Sequence, residues 1–587
     1  MRRDLGADTL TAFKSTSWFF RHPAESISGV ILLLMAANLI SLAAGKAITN
    51  DEVVHIPPGY SYLTRQDFRL NPEHPSLIKM WASLPLLLLR PEPGSTANPS
   101  QEWGERTLST STNFWHQNRT HFKAISFWAR LPVIFLTLAL GILIFVYGRQ
   151  LFGSRAAVFS VALFSLEPTM LGHGWIVHTD IAAALGYLLF FFWLQAYCRT
   201  PTFWRAVCFG LATAFALLTK FSLIIIVPIF VAGLAYAVWR KTEAKYSPRR
   251  TALYSILALT VTVIAINAAY FFRHPILAPA DAAFVKATLP LFPAITGFFM
   301  RILPEFFPTY YVLGLYTVMV HNRLGHPASV LGNYNSFGWW YYFPVAFALK
   351  TTVPFLLLSV STMAWAIWRV IVKQEKTFLV LLLPVALYMA VSMTSHINIG
   401  VRHIAPVFPF LFLLGGGGLD SLLRAGSRPR LGRILVVALL GWMVIDALRA
   451  YPNYMSFTNQ LTFGRPGWQL LSDSNVEWGQ DVGALAQYLH EHGETKVSGA
   501  LSGGWATLEL YGIQLVYYAP ADLQQSQTRY VAVGAGALNG STVPAGLRDA
   551  NGNELSEDER RNFFASYRSM PPEAVFGNSI YLYRRKD

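Results

Sequence analysis

Ionisable residues stand next to long apolar runs at a few places in this 587-residue chain, and those residues could do chemistry together. Asp51 and Glu52 follow the first apolar run directly. Later in the same connection, Asn71-Pro-Glu-His-Pro-Ser-Leu-Ile-Lys79 supplies Glu73, His74 and Lys79. Glu167, His173, His178 and Asp180 surround the turn between the third and fourth runs, and Lys220 stands in the turn between the fifth and sixth. His396, Arg402 and His403 occupy the turn before the tenth. Charges in or at the edge of a membrane are costly, which makes each a functional candidate. A carboxylate can orient or deprotonate an incoming hydroxyl. Cations or a metal can stabilise the charge that builds up on a departing phosphate. Attack at the anomeric carbon of a sugar held on a lipid phosphate needs both.

Each candidate also has a structural reading. Asp51 and Glu52 could be solvated at a helix exit, and Lys220 could snorkel to headgroups. Arg402 could pair with lipid phosphate, and Glu167, followed by Pro168, could mark a helix irregularity. His178 with Asp180 offers two ligands where a metal motif needs three or more. Asp446 and Arg449, spaced i, i+3, read as a structural ion pair.

The elements that must position these residues are membrane helices. Hydrophobic residues make up 53% of the chain and charged residues 13%, about half the usual charged share of a soluble domain. Aromatic residues reach 14%, as interfacial belts require. Spans of about 20 apolar residues are expected near 27–45, 125–147, 156–173, 180–198, 204–219, 221–239, 251–272, 343–368, 377–393, 403–422 and 433–449. The first is read as a retained helix rather than a cleaved signal. The net charge of +15 comes from Lys and Arg crowded into alternate short connections, such as Arg240, Lys241, Lys245, Arg249 and Arg250, or Arg424, Arg428, Arg430 and Arg433. That is the positive-inside pattern, not a nucleic-acid surface. It puts the N-terminus in the cytoplasm and segments 46–124, 273–342 and 450–587 outside. After Tyr451 the composition turns polar, with strand-like runs at Lys496–Leu501, Arg529–Val533 and Ser579–Arg584 and a helical stretch at Val482–His492. The expected fold is therefore an α-helical polytopic membrane domain over 1–449 and a small C-terminal α/β domain over 450–587. Cys198 and Cys208 form neither a disulfide framework nor a metal motif.

Several motifs are similar to those of known glycosyltransferases. Asp51-Glu-Val-Val-His55 and His74-Pro-Ser-Leu-Ile-Lys79 resemble the first outer loop of protein O-mannosyltransferases, with Ser76 in place of a proline. The same spacing resembles the lipid A aminoarabinose transferases, which carry Lys where this chain has His74. Asp180, Leu218-Thr-Lys220 and Arg402-His-Ile-Ala-Pro-Val-Phe-Pro409 are similar to that broader family. Tyr451-Pro-Asn-Tyr-Met-Ser-Phe and Asp473-Ser-Asn-Val-Glu-Trp-Gly-Gln480 resemble bacterial phospholipid-carrier-dependent glycosyltransferases. The class is that of GT-C polytopic glycosyltransferases, family-39-like. The C-terminal domain departs from it in not reading as the β-trefoil of the eukaryotic mannosyltransferases.

The resemblance implies an inverting enzyme of a bacterial inner membrane. It would move a hexose or pentose from a polyprenyl-phosphate donor to a protein, glycan or lipid acceptor on the outer face. Within it, Asp51, Glu52 and Asp180 are the expected catalytic carboxylates, with Asp51 central. His74, Lys79, Lys220 and Arg402 are expected at the donor phosphate. His55, His178, Trp339 and Trp340 are assigned to the acceptor or to loops over the site. A divalent metal is compatible with this set but not required by it. The rival reading is a transporter or flippase of a lipid-linked sugar. Such a carrier should place its ionisable groups near the bilayer midplane, whereas here they collect at the outer edge.

Overall fold

The computed structural model describes residues 22–96, 98–239, 247–424, 429–517, 528–543 and 553–585. Among these, eight helices are long and apolar enough to cross a membrane, and three shorter apolar ones accompany them at Ser154–Leu166, Phe203–Thr219 and Lys376–Ser392. Their outer faces are apolar. Leu33, Leu34, Leu253, Ile256, Val360 and Val437 are all more than half exposed, a surface that only lipid can cover. The chain is a multi-pass membrane protein. The basic residues Arg240, Lys241, Lys245 and Arg428 lie outside the described residues.

Two expected spans are broken. The run 156–173 stops as a helix at Leu166, and Pro168 opens a separate short helix, Pro168–His173. Pro168 has no N–H to continue the ladder, but it fits a first turn. The run 343–368 divides into Tyr342–Lys350 and Val353–Ile371, with Pro354 in the first turn of the second helix. Asp446 does not pair with Arg449; its Oδ1 accepts from Gln460 Nε2 at 2.8 Å.

Beyond the last span the chain forms a five-stranded sheet. The strands are β3 (Lys496–Ala500), β4 (Gln514–Tyr517), β5 (Tyr530–Gly534), β6 (Ala574–Phe576) and β7 (Ile580–Arg584), and a hairpin of β1 (Ala328–Val330) and β2 (Asn333–Asn335) stands apart in the connection before the helix Tyr342–Lys350. The order is β4-β3-β5-β7-β6, with β3 parallel to β4 and β5, and β7 antiparallel to both its neighbours. The helix Val482–Glu491 packs Val482, Leu485, Ala486 and Leu489 against Val497, Ala532 and Leu582 of the sheet. That i, i+3, i+4, i+7 spacing is one face of a helix.

The start of this polar region is stitched to the connection that follows the first span. The N–H groups of Ala47 and Asn50 donate to the carbonyls of Gln480 and Trp478 at 3.1 and 2.8 Å. Lys46 Nζ bonds Asp481 Oδ1 at 2.6 Å. Lys350, buried at the end of its helix, donates to the carbonyls of Met455, Phe457 and Asn475 at 2.7, 2.5 and 2.5 Å. These bonds bring Asp473–Gln480 against the helix that carries Asp51.

Candidate active site

The helix Asn50–Arg65 begins with a capping box. Thr49 caps the first turn, and Glu52 reaches back to accept from the Thr49 N–H at 2.9 Å. Such a box answers two of the donors a helix start leaves unpaired. It also fixes where Glu52 points. Arg130 meets the carboxylate with Nε at 2.8 Å and Nη2 at 2.7 Å, and the Val177 N–H adds a third side at 3.2 Å. Arg130 further donates to the carbonyls of Ala43, Lys46 and Ala47 at 2.7, 3.0 and 2.8 Å, where the first span ends. Burial alone would raise the Glu52 pKa, but Arg130 and the backbone donors hold it below the ordinary value. Glu52 is completely buried and does not line the cavity that Asp51 borders.

Asp51 faces the other way. One residue along a helix turns the side chain by about 100°, which carries Asp51 into the wall of a cavity of about 470 Å³. Opposite it, Arg402 Nη1 lies 3.2 Å from Asp51 Oδ2 and 3.1 Å from Asp180 Oδ2. Lys220 pairs with Asp180 Oδ1. Arg402 is held from two more sides: its Nε donates to Ser474 Oγ at 2.8 Å, and its guanidinium lies 4.0 Å from the Trp478 ring centre. Gly400, at φ +149°, allows this approach, since a Cβ there would collide with Ser474 Oγ. Burial raises the Asp51 pKa above the ordinary value, and Arg402 only partly opposes it. A carboxylate so placed is a stronger base than one in water.

Sequence expectation and structure part at several residues. Asp180 opens the helix Asp180–Arg199 but does not border the cavity. It is 1% exposed and stands behind Lys220 and Arg402, so it positions those cations rather than touching a substrate. Lys79 is turned inward: its Nζ donates to the Asn71 carbonyl and lies 3.3 Å from Tyr62 Oη, away from the cavity. It therefore cannot reach a donor phosphate there. His178 supports the same turn. Its Nδ1 accepts from the Asp180 N–H at 2.9 Å and its Nε2 faces the His173 carbonyl at 3.0 Å, so the proton belongs on Nε2. Trp339 and Trp340 line no part of the cavity, and Trp340 is 66% exposed.

His74 does border the cavity. His55 lies behind it, with the two ring centres 5.2 Å apart, edge to face. Glu73 and His321 meet at 2.8 Å on the same wall. Asp473 and Trp478 also line it, although the sequence motif Asp473–Gln480 assigns neither of them a role at the site. A polar and aromatic run that follows directly on the last span was the available signal. The remaining wall is mixed: Ile224, Ile225, Leu315, Val318, Met319 and Val391 form an apolar stretch, beside polar residues such as Ser222, Asn322, Thr394 and His403. The site thus joins an ionic end to an apolar stretch, the shape a lipid phosphate needs.

Among curated proteins, a search returns no match to this chain. Solved structures resemble it distantly, among them the following three. ArnT from Cupriavidus metallidurans in the apo state shares 12% identity at a TM-score of 0.44, over 97% of this chain and 98% of that one. The same protein bound to undecaprenyl phosphate shares 13% at 0.43, over 94% and 97%. The Archaeoglobus fulgidus oligosaccharyltransferase tethered with an acceptor peptide shares 9% at 0.43, over 88% and 70%. These likenesses are too distant to speak to activity. Residues 122–270, the stretch that holds Arg130, Asp180 and Lys220, match the family model of dolichyl-phosphate-mannose-protein mannosyltransferases.

Proposed function

We propose that this protein is a glycosyltransferase that moves a sugar from a polyprenyl-phosphate donor to an acceptor hydroxyl, with inversion at the anomeric carbon. The observation that carries it is the Asp51 carboxylate beside Arg402 and Lys220 at one end of a cavity that also has an apolar stretch of wall. The lipid chain would lie along Leu315, Val318 and Met319. Its phosphate would sit at Arg402 and Lys220, where a guanidinium offers paired hydrogen bonds and an ammonium a point charge. In the reaction the acceptor oxygen forms a bond to the anomeric carbon and its proton passes to Asp51. The bond from that carbon to the phosphate oxygen breaks, and its electron pair leaves on the lipid phosphate. Cations placed where that charge develops lower the barrier.

The match over residues 122–270 supports the same chemistry. The Lys and Arg asymmetry of the short connections supports a cytoplasmic N-terminus and a site on the outer face. Asp51→Asn keeps the shape and removes the base. Transfer in that variant, measured with a radiolabelled polyprenyl-phosphate sugar, should fall at least about a hundredfold, while donor binding largely survives. Turnover near the wild-type rate would overturn the proposal.

A further inference from the structure

We infer that Asp51, His55 and His74 form a binding site for one divalent first-row metal ion of the zinc type, set in the wall of the cavity. Each offers a ligand atom, and the three atoms lie within 4.8 Å of one another. Asp51 and His55 are spaced i, i+4 on the helix Asn50–Arg65, so they share a face. His74 comes to them from the outer segment Asn71–Lys79. Ligand atoms around a tetrahedral zinc stand about 3.3 Å apart, given metal–ligand bonds of about 2.0–2.1 Å. Small side-chain rotations close the difference.

Two further observations point to a metal. His55 Nδ1 lies 3.1 Å from the Val177 carbonyl, which requires the proton on Nδ1 and leaves the Nε2 lone pair free. Orientation of a ligating imidazole by a backbone carbonyl is the usual supporting contact at metal sites. His74 Nδ1 is buried with no hydrogen-bond partner. A buried polar atom left unmatched costs free energy that a ligand would recover. Burial also pushes the pKa of both imidazoles down, that of His55 to about 3, so both are neutral at pH 7, the form that binds metal. Arg402 takes Oδ2 of Asp51, which leaves Oδ1 for the ion.

Two imidazoles and a carboxylate are a ligand set that zinc accepts with a fourth position open. Here Asp51 and His74 both line the cavity, so the open position would face its interior. With Oδ1 on the ion, Asp51 has no oxygen free to take the acceptor's proton, so in the loaded site the ion would orient and acidify the acceptor hydroxyl, and Asp51 would act as the base only in the ion-free site. That task rests on the transfer reading; the binding itself does not.

The test uses the full-length protein in detergent, stripped with a chelator and supplied with Zn2+ or Co2+ in the absence of any donor. Elemental analysis should find about one ion per chain, and Co2+ should give the visible absorption of a tetrahedral site. Zn2+ should also raise Tm, since it binds the folded state. His74→Gln and His55→Gln should each weaken binding at least about tenfold and abolish the rise in Tm. His74 stands at the rim of the cavity, so His74→Gln decides the matter if His55→Gln does not fold. A wild-type protein that binds no ion, or a folded His74→Gln variant that binds like wild type, overturns the inference. Transfer of sugar by a protein that binds no metal would sink this site and leave the transfer reading standing. Metal at these residues with unimpaired transfer in Asp51→Asn would do the opposite.

Discussion

On the buried side of the helix Asn50–Arg65, the partners of Glu52 are all fixed donors: two nitrogens of Arg130, the N–H groups of Thr49 and Val177, and the Thr49 hydroxyl. On the cavity side, Asp51 is 17% exposed and meets Arg402, which is shared with Asp180. Both are carboxylate–arginine pairs, one residue apart on one helix. The first is closed, with its hydrogen-bonding capacity taken up by the fold. The second keeps an open side toward a cavity. A closed pair contributes geometry; an open one has capacity left for a ligand. The chain uses the closed pair to hold the open one in place, because Arg130 also gathers the carbonyls at which the first span ends.

The comparison breaks most visibly at Glu52. Glu52→Gln leaves the Arg130 guanidinium buried without its counter-charge, and breaking such a pair costs about 3–5 kcal/mol. Thermal unfolding followed by the loss of a monodisperse peak should show that loss, whereas Asp51→Asn should unfold close to wild type. Equal Tm values for wild type and Glu52→Gln would mean the pair is not a structural keystone.

Glu477 is an intermediate case, a closed carboxylate with no cation. It accepts the N–H groups of Ser502 and Gly536 at 2.7 and 3.0 Å and so ties Trp478, the platform under Arg402, to the sheet. Burial outweighs those donors and lifts its pKa from 4.5 to about 7. A raised pKa in the folded state means stabilisation that is full below 4.5 and is lost as pH rises through about 7. The contribution spans at most about 3 kcal/mol. Glu477→Gln stays neutral throughout, so the difference in stability between the two proteins should change between pH 4.5 and pH 8. A constant difference would show that Glu477 keeps the same protonation state in the folded and unfolded chains.

Much of the frame could be read from the chain, because apolar runs of spanning length have few alternatives. The places where it could not were local. Glu167-Pro168 and Thr352-Val-Pro354 interrupt runs that look continuous by hydropathy alone. The convergence of Asp51, Lys220 and Arg402 followed from topology, since all three stand at the same ends of their helices. The facing of Asp51 against Glu52 did not, because hydropathy does not fix the rotation of a helix. Yet the signal was present: Thr49-Asn-Asp-Glu52 is the spacing of a capping box, which turns Glu52 to the backbone and Asp51 away. Lys79 was misplaced for want of such a cue, because its partner, the Asn71 carbonyl, is set by how the outer segment folds back. Asp473 and Trp478 reach the cavity only through the stitching of residues 478–480 to 47–50.

Lys220 sharpens the comparison from the open side with the smallest expected effect. It lines the cavity and is paired with Asp180, which Arg402 also contacts. Burial lowers its pKa, and Asp180 works against that loss of charge. Lys220→Ala therefore leaves Asp180 with one cation instead of two, and Arg402 still faces Asp51. The fold should survive better than in Glu52→Gln, since the remaining guanidinium compensates the buried carboxylate. The open site should lose one charge-assisted contact to the phosphate. A loss of about tenfold in donor affinity, about 1.4 kcal/mol, is expected in the KM for the polyprenyl-phosphate sugar, with kcat changed less. Donor KM and kcat both unchanged in a well-expressed Lys220→Ala protein would place this lysine with Glu52 and Arg130 among the closed, structural charges.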